Sequence, residues 1–579
     1  FTAVILGQLI RVQTVSASGY VQRAQSELTQ TTILLAPRGA ITDNKGEPFA
    51  RSVDSFRIVV DQKMITNPNQ TAEFLAPYLK MDSELIKSKI IGTARWFEVA
   101  RYVKPAIWQK LKADITNFNN NLNLENLDQR IVGIFAERMY TREYPSGHLV
   151  ASLLGFTKDD GNGAAGLESA WNSTLSGING QVAIATGFGT RIPGSQQIKV
   201  EAKPGTSLRL TIDRDIQWVA EKSITNAVKK SSALSGTVIV MDPKTGEILA
   251  HATAPTFDPN NLAKATPTLL ATPAVSDPYE PGSTGKVITM SAALEEKKIT
   301  PTSLFTVPDR IKRADRIFKD HDKHATWKLT TAGILAKSSN VGTIQIGELI
   351  SHQTLYNYLR KFGVGSSTHI ELGGESDGLL LPVSQWPSSM APAIAFGQSY
   401  SMTTIQATSV FATIANRGVR VTPTLIDGYV DTDGHYTKSP SSKSTRVISS
   451  ETADKVRLMM ESVLTDEGTA PGARIPGYRV AGKTGTANRV VNGKYQGYTA
   501  SFIGFAPAEN PKFVINVTIQ DPHGVHFGSL LGGPVFKEVM SFALKTYQIP
   551  PSTSPVSLLP MNSKELAKNQ IQNSQPTKP

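Results

Sequence analysis

The chain has 579 residues, 40% hydrophobic and 19% charged, with no cysteine and a formal net charge of +12. That length exceeds what one core supports and predicts about three or four domains of ordinary globular composition. The lack of cysteine excludes disulfides, thiol chemistry and zinc ribbons. The charge favours anionic surroundings such as a membrane surface or wall polymers, while no basic block with interleaved aromatics points to nucleic acid.

Phe1 to Ile10 is apolar apart from Gln8. It is too short for the roughly 20 residues of a membrane span, and it reads as the outer part of a transmembrane anchor, with a buried terminal strand or helix as the alternative. Residues 11–35 read as a helix-rich linker running into an extended stretch, Thr31 to Ala36. The turn Pro37-Arg-Gly39 precedes a hairpin signal over Ile41 to Gly46. Residues 54–135 form a polar, Asn-rich head region with helical patches at Leu75 to Leu79 and Trp108 to Leu111, and Gly166 to Trp171 predicts a short helix. Near 205 the texture changes. Thr206 to Asp213 alternates like a strand, 214–230 is an amphipathic helix, and strands at Gly236 to Asp242 and Glu247 to Thr253 are joined by the turn Pro243-Lys-Thr-Gly246. Helices and strands, among them Ala500 to Phe505 and Phe513 to Thr518, then alternate to about 548. The last residues, 549–579, are rich in Pro, Ser, Asn and Gln and predict a disordered tail. The domains expected are thus 1–10 (anchor), 11–204 (N-terminal, with the head at 54–135), 205–548 and the tail.

Three short motifs carry chemistry. Glu280-Pro-Gly-Ser-Thr-Gly-Lys286 puts Ser283 and Lys286 on one helix face after a Pro-Gly break. A desolvated lysine amine there can take the serine proton. Lys337-Ser-Ser-Asn340 offers the Ser338 hydroxyl and the Asn340 amide from a turn between helical stretches. Val480-Ala-Gly-Lys-Thr-Gly-Thr486 reads as a strand in which Gly485 exposes backbone to a ligand, Lys483 supplies a cation, and Thr484 and Thr486 supply hydroxyls for a carboxylate. A second copy of that tripeptide, Lys244-Thr-Gly246, sits on a hairpin tip and reads as a turn. Each motif alone has an ordinary explanation, such as a helix cap, a loop or a strand.

The ordered triple resembles the signature of penicillin-binding proteins and serine β-lactamases, and the chain is similar to class B penicillin-binding proteins. Further segments carry the likeness: Pro37 to Asp43, Arg142-Glu-Tyr-Pro145, Leu154-Gly-Phe156, Gly166-Leu-Glu168, Leu175 to Gly180, Phe396-Gly-Gln398 and Gly532 to Phe536. One departure is Gly285, where the family usually has an aromatic; a glycine there is expected to loosen the first turn of the helix. The resemblance implies an α+β chain: a β-rich pedestal, then a transpeptidase domain with an antiparallel sheet flanked by helices. It further implies Ser283 as nucleophile on D-Ala-D-Ala stem peptides, Lys286 as general base, Ser338 relaying a proton, Asn340 holding the substrate amide and the Lys286 head group, and Lys483 raising the local positive potential. The oxyanion is then expected between the backbone N–H groups of Ser283 and Thr486.

No cofactor and no metal is implied. β-Lactams are the expected inhibitors, and a membrane glycosyltransferase and other division proteins the expected partners. A septal role is favoured over lateral-wall synthesis; a non-catalytic wall scaffold is the alternative from another class. No Glu-x-x-Leu-Asn-like segment lies between Ser338 and Lys483, so slow deacylation is favoured over a β-lactamase. Gly477 to Thr484 matches the phosphate-loop spelling, but Tyr-Arg-Val-Ala favours a strand and no helix is predicted to follow. Asp320-His-Asp-Lys-His324 and His523-Gly-Val-His526 lack zinc-protease spacing and read as solvated groups or as residues that hold loops by local hydrogen bonds.

Overall fold

The computed structural model describes residues 29–574, apart from 188–189, 192–196, 492 and 557. The expected anchor at 1–10 and most of the linker lie outside the described residues. Among the described residues no helix is long and apolar enough to cross a membrane.

The N-terminal half is built on one long strand, Pro48–Val60, paired antiparallel with Ile134–Glu143 along ten positions and with Phe97–Val103 at its far end. This stretch reads as polar in the sequence because charges on both faces of the strand answer one another across the ladder. Arg51 meets Glu143 at 2.7 Å, Asp54 meets Arg138 at 2.8 Å and Arg57 meets Glu98 at 3.1 Å. Opposite charges on neighbouring strands favour the pairing. The helical patches belong to helices Pro68–Leu79 and Pro105–Asn120, longer than expected because Pro at the first turn starts each one. Together with Ser83–Ile90 they close a small separate core of Val60, Leu75, Ile86, Ile90, Val99 and Leu111.

Three of the short N-terminal segments meet at a single buried carboxylate. Glu168, fully buried, receives Arg38 Nε at 2.6 Å and Arg142 Nε at 2.7 Å, and Arg142 also donates to the Gly39 carbonyl. Losing one partner of such a buried set typically costs about 3–5 kcal/mol, because the remaining charge is stranded. The predicted hairpin is present, and its first strand, Ile41–Thr42, runs parallel to Ser207–Leu210, which pairs antiparallel with Ile426–Val430. One sheet therefore joins the two halves of the chain. The main core is likewise continuous from Ile41, Phe49 and Leu153 to Val238 and Ile515.

The C-terminal half centres on a five-stranded antiparallel sheet of β1 (Ser235–Met241), β2 (Ile248–Ala254), β3 (Ala481–Val491), β4 (Lys494–Ala506) and β5 (Phe513–Gln520), in the order β2-β1-β5-β4-β3. The Lys244-Thr-Gly246 copy is the β1–β2 turn, where Asp242 Oδ1 accepts from the Lys244 N–H, as expected for a hairpin tip. Helix α1 (Arg214–Lys230) packs on β2; its start is capped by Asp213, which accepts from the Asp215 and Ile216 amides. Helices α2 (Lys286–Glu295), α3 (Thr331–Ala336), α4 (Asn340–Gly347) and α5 (Thr404–Ala415) form the buried layer, and α6 (Gly528–Thr546) covers β4 and β5. Every residue of α5 is buried, and a reciprocal Thr403–Gln406 capping box closes its start.

The disordered tail expected over 549–579 is corrected for its described residues, 549–556 and 558–574. Ile549, Ser552 and Ser554 bond to Tyr478 and Arg479, Pro560 and Met561 bond to Thr330, and Ser563–Ser574 forms a helix, α7. The segment is polar because its attachment is mainly through backbone groups, which composition does not register.

Candidate active site

Ser283 lies in a tight 3-10 turn, Gly282–Gly285, that feeds directly into α2. Gly282 has φ +53°, a left-handed conformation that glycine adopts without penalty, and its N–H donates to the Gly397 carbonyl at 2.8 Å. Tyr279 and Met402 exchange both backbone bonds at 3.0 Å, and the Ser399 N–H reaches Glu280. The Phe396-Gly-Gln398 segment and the residues after it therefore clasp the serine turn from outside.

From inside, the turn lies against β3. A Cβ on Gly485 would meet the Ser501 hydroxyl, Thr284 and the Pro281 carbonyl, so the bare backbone at 485 admits the serine turn. Gly282 in turn lies over Thr486 and Ala487. The β3 strand runs to Val491 and turns back into β4, which removes the helix a phosphate loop would need.

Lys286 and Lys483 are both fully buried, and both point at Ser338. Lys286 Nζ donates to the Ser338 carbonyl and lies 3.3 Å from its hydroxyl, while Lys483 Nζ lies 2.9 Å from the same hydroxyl. Ser338 reaches this position from the turn between α3 and α4 with φ +58°. Burial brings the Lys286 amine down to about 7, with Asp320 pulling the other way. Lys483 is held well below the ordinary lysine range, by burial first and by Lys286 second. Two ammonium groups on one hydroxyl in a dry site repel, so the pair favours sharing a single charge.

Asn340 and Thr484 also depart from expectation. The Asn340 amide donates to the Lys319 carbonyl at 3.0 Å, away from Lys286. The Thr484 hydroxyl is buried on Lys483 Nζ (3.2 Å) and Thr469 (3.1 Å), so it fixes the lysine. Thr486 is half-buried, with its hydroxyl facing the Gly528 N–H at 3.4 Å. The Ser283 hydroxyl makes no side-chain hydrogen bond among the described residues.

Asp320 has a structural role. Its carboxylate accepts from Ser339 Oγ (2.6 Å) and the Val341 N–H (2.9 Å) and is bonded to His324 Nε2 (3.0 Å), whose ring stacks on Trp327. The acid-histidine cluster therefore holds the Ser338 turn by local hydrogen bonds. His526 stacks on Tyr498 with ring centroids 4.0 Å apart.

A serine turn pinned to a sheet edge, with two buried lysines converging on a second hydroxyl, defines a serine acyl-enzyme catalyst. The chain belongs to the class B penicillin-binding proteins: the penicillin-binding protein transpeptidase domain matches residues 236–541, and the penicillin-binding protein dimerisation domain matches 33–210. It is 33% identical to the penicillin-binding protein PbpB of Mycolicibacterium smegmatis, over 95% of this chain and 89% of that one. It is 30% identical to the peptidoglycan D,D-transpeptidase FtsI of Escherichia coli K12, over 95% and 90%. Penicillin-binding protein 3 of Mycobacterium tuberculosis, solved in complex with aztreonam, superposes with a TM-score of 0.71 at 29% identity, covering 91% of this chain and all of that one.

Proposed function

We propose that this protein is a peptidoglycan D,D-transpeptidase that cross-links D-Ala-D-Ala stem peptides through an acyl-Ser283 intermediate, in septal wall synthesis. The observation that carries the reading is the Ser338 hydroxyl shared by Lys286 and Lys483 beside the Ser283 turn. Neutral Lys286 takes the Ser283 proton as the oxygen attacks the penultimate D-Ala carbonyl. The resulting oxyanion is received by the backbone N–H groups of Ser283 and Thr486, each worth about 3–4 kcal/mol in comparable acyl-transfer sites. The bond to the terminal D-Ala nitrogen then breaks as that nitrogen gains a proton relayed through Ser338. An amine from a neighbouring stem attacks the ester, returns a proton along the same path and releases Ser283. Thr486 and the Lys483 edge of β3 hold the terminal carboxylate, and Asn340 offers its side-chain oxygen to the substrate amide.

Residues 1–10 belong to a single-pass anchor in the cytoplasmic membrane, with the catalytic domain outside and a membrane glycosyltransferase and division proteins as partners. The apolar run from Phe1 to Ile10 supports the anchor. β-Lactams imitate the donor and acylate Ser283. Labelling with a fluorescent penicillin, read by intact mass, tests the chemistry: a stable adduct on the wild type that disappears in Ser283→Ala is expected. Labelling that persists in Ser283→Ala would remove Ser283 as nucleophile.

A further inference from the structure

Residues 549–566 lie beyond the segment matched by the transpeptidase domain, which stops at 541, yet they make two separate attachments. The first is at the entrance to β3. Tyr478 Oη donates to the Ile549 carbonyl at 2.6 Å, and Ser552 exchanges bonds with its neighbours there, its N–H to the Gly477 carbonyl and its hydroxyl accepting from the Arg479 N–H, both at 2.9 Å. Arg479 is further fixed to Ser554 and to the buried Glu461. Arg479 lies two residues before β3, and Lys483 follows it by four residues inside that strand.

The second attachment is at the entrance to α3. The Thr330 N–H donates to the Met561 carbonyl at 3.0 Å, its hydroxyl donates to the Pro560 carbonyl at 2.6 Å, and Leu329 pairs with Asn562 as a β-bridge. A Cβ on Gly333 would collide with the Met561 carbonyl, so the first turn of α3 is fitted closely to this segment. Glu565 bonds back to the Met561 N–H at 2.8 Å and anchors the start of α7. Along α3, the Gly333 and Leu335 carbonyls accept from the Lys337 and Ser338 amides, which leads directly to the catalytic turn.

We propose that residues 549–556 and 558–566 act as a strap that positions Ser338 against Lys483 by fixing the entrances of the two elements that lead to them. The two side chains meet at 2.9 Å across elements otherwise far apart in sequence. Their separation is therefore only as constant as the spacing of α3 and β3. The strap ties both entrances to one short length of chain. Ser552 and Met561 are positioning residues in this scheme, acting through Arg479 and Thr330 respectively.

The inference rests on the acyl-Ser283 reading, and wild-type labelling tests that reading by itself; the ratio of variant to wild type tests the strap. Two variants are compared: a stop in place of Pro555, which removes the second attachment and α7 but keeps the first attachment, and Gly333→Ala, whose Cβ meets the Met561 carbonyl in a complete chain. The acylation rate with fluorescent penicillin is expected to fall about tenfold or more in both, since ångström-scale misplacement of catalytic groups costs up to about 10²-fold. The pH midpoint of acylation moves as well, because Lys286 and Lys483 no longer share one hydroxyl in fixed geometry, and a synthetic peptide of residues 555–574 restores rate and midpoint to the truncated chain. Wild-type rate and midpoint in both variants would overturn the proposal. So would a rate loss that follows the melting temperature and that the peptide leaves unchanged, since that would mark the tail as general stabilisation only.

Discussion

The Tyr400 hydroxyl occupies the space that a Cβ on Gly285 would enter, one residue before Lys286. Tyr400 is fully buried and its hydroxyl has no hydrogen-bond partner among the described residues. Where relatives are expected to carry a large side chain within the serine motif, this chain supplies the bulk from the neighbouring segment. The turn is therefore filled from outside and is not loosened by the glycine.

Gly285→Ala is expected to destabilise the protein by about 1–3 kcal/mol through overpacking and to slow acylation. Tyr400→Phe removes an unpartnered buried hydroxyl and should be neutral or stabilising by about 1 kcal/mol. In that background the Gly285→Ala cost should shrink to well under half. Denaturant melts of the four proteins in the cycle check this, and additive effects would disprove the contact.

Adjacent serines in the second motif should fail in different ways. Ser338→Ala removes the hydroxyl on which both lysines converge and is expected to slow acylation by about 10²–10⁴-fold with little change in melting. Ser339→Ala removes the cap that accepts from the Gly342 N–H and donates to Asp320. That variant should lose about 1–2 kcal/mol of stability with a smaller change in rate. Acylation kinetics beside thermal melts separate the two.

These contrasts also show what was legible before folding. Ser283, Lys286, Ser338 and Lys483 could be read because each sits in a short local motif, and the sheet strands because their apolar runs are bounded by turns. The partner of each motif was not legible. That Asn340 turns to Lys319 and that Gly485 admits the serine turn depend on segments the fold brings together, and Thr484 serves its neighbour Lys483 because both are buried in β3. The strand Pro48–Val60 was hidden by cross-strand ion pairs, and the tail by attachments made through backbone groups.

The acid limb of acylation should report Lys286. The amine is competent only when neutral, and burial places its titration at about 7. The rate is expected to fall about tenfold per pH unit below that midpoint and to level above it. Asp320 holds the value up, so Asp320→Asn should move the midpoint to lower pH, while any loss in the plateau measures the separate damage to the Ser338 turn. A midpoint that stays in place would show that the Asp320 charge is not felt by the lysine.

A second titration lies where the N-terminal half meets α1. Glu221 is buried, and its Oε1 accepts from the Val150 N–H at 2.7 Å and from Gln217 at 2.8 Å, while Oε2 has no partner among the described residues. Burial raises this carboxyl from 4.5 to about 7. Between those values the native state holds a proton that the unfolded chain has released, so stability is greatest below the lower value and falls as pH rises through the window. The shift corresponds to about 3 kcal/mol at most, at 1.36 kcal/mol per unit. Glu221→Gln keeps an acceptor for Val150 and carries no charge, so it should flatten this slope and be more stable than the wild type at pH 8, with little difference at pH 5. Urea melts at the two pH values decide the point, and an unchanged slope in the variant would place the titrating group elsewhere.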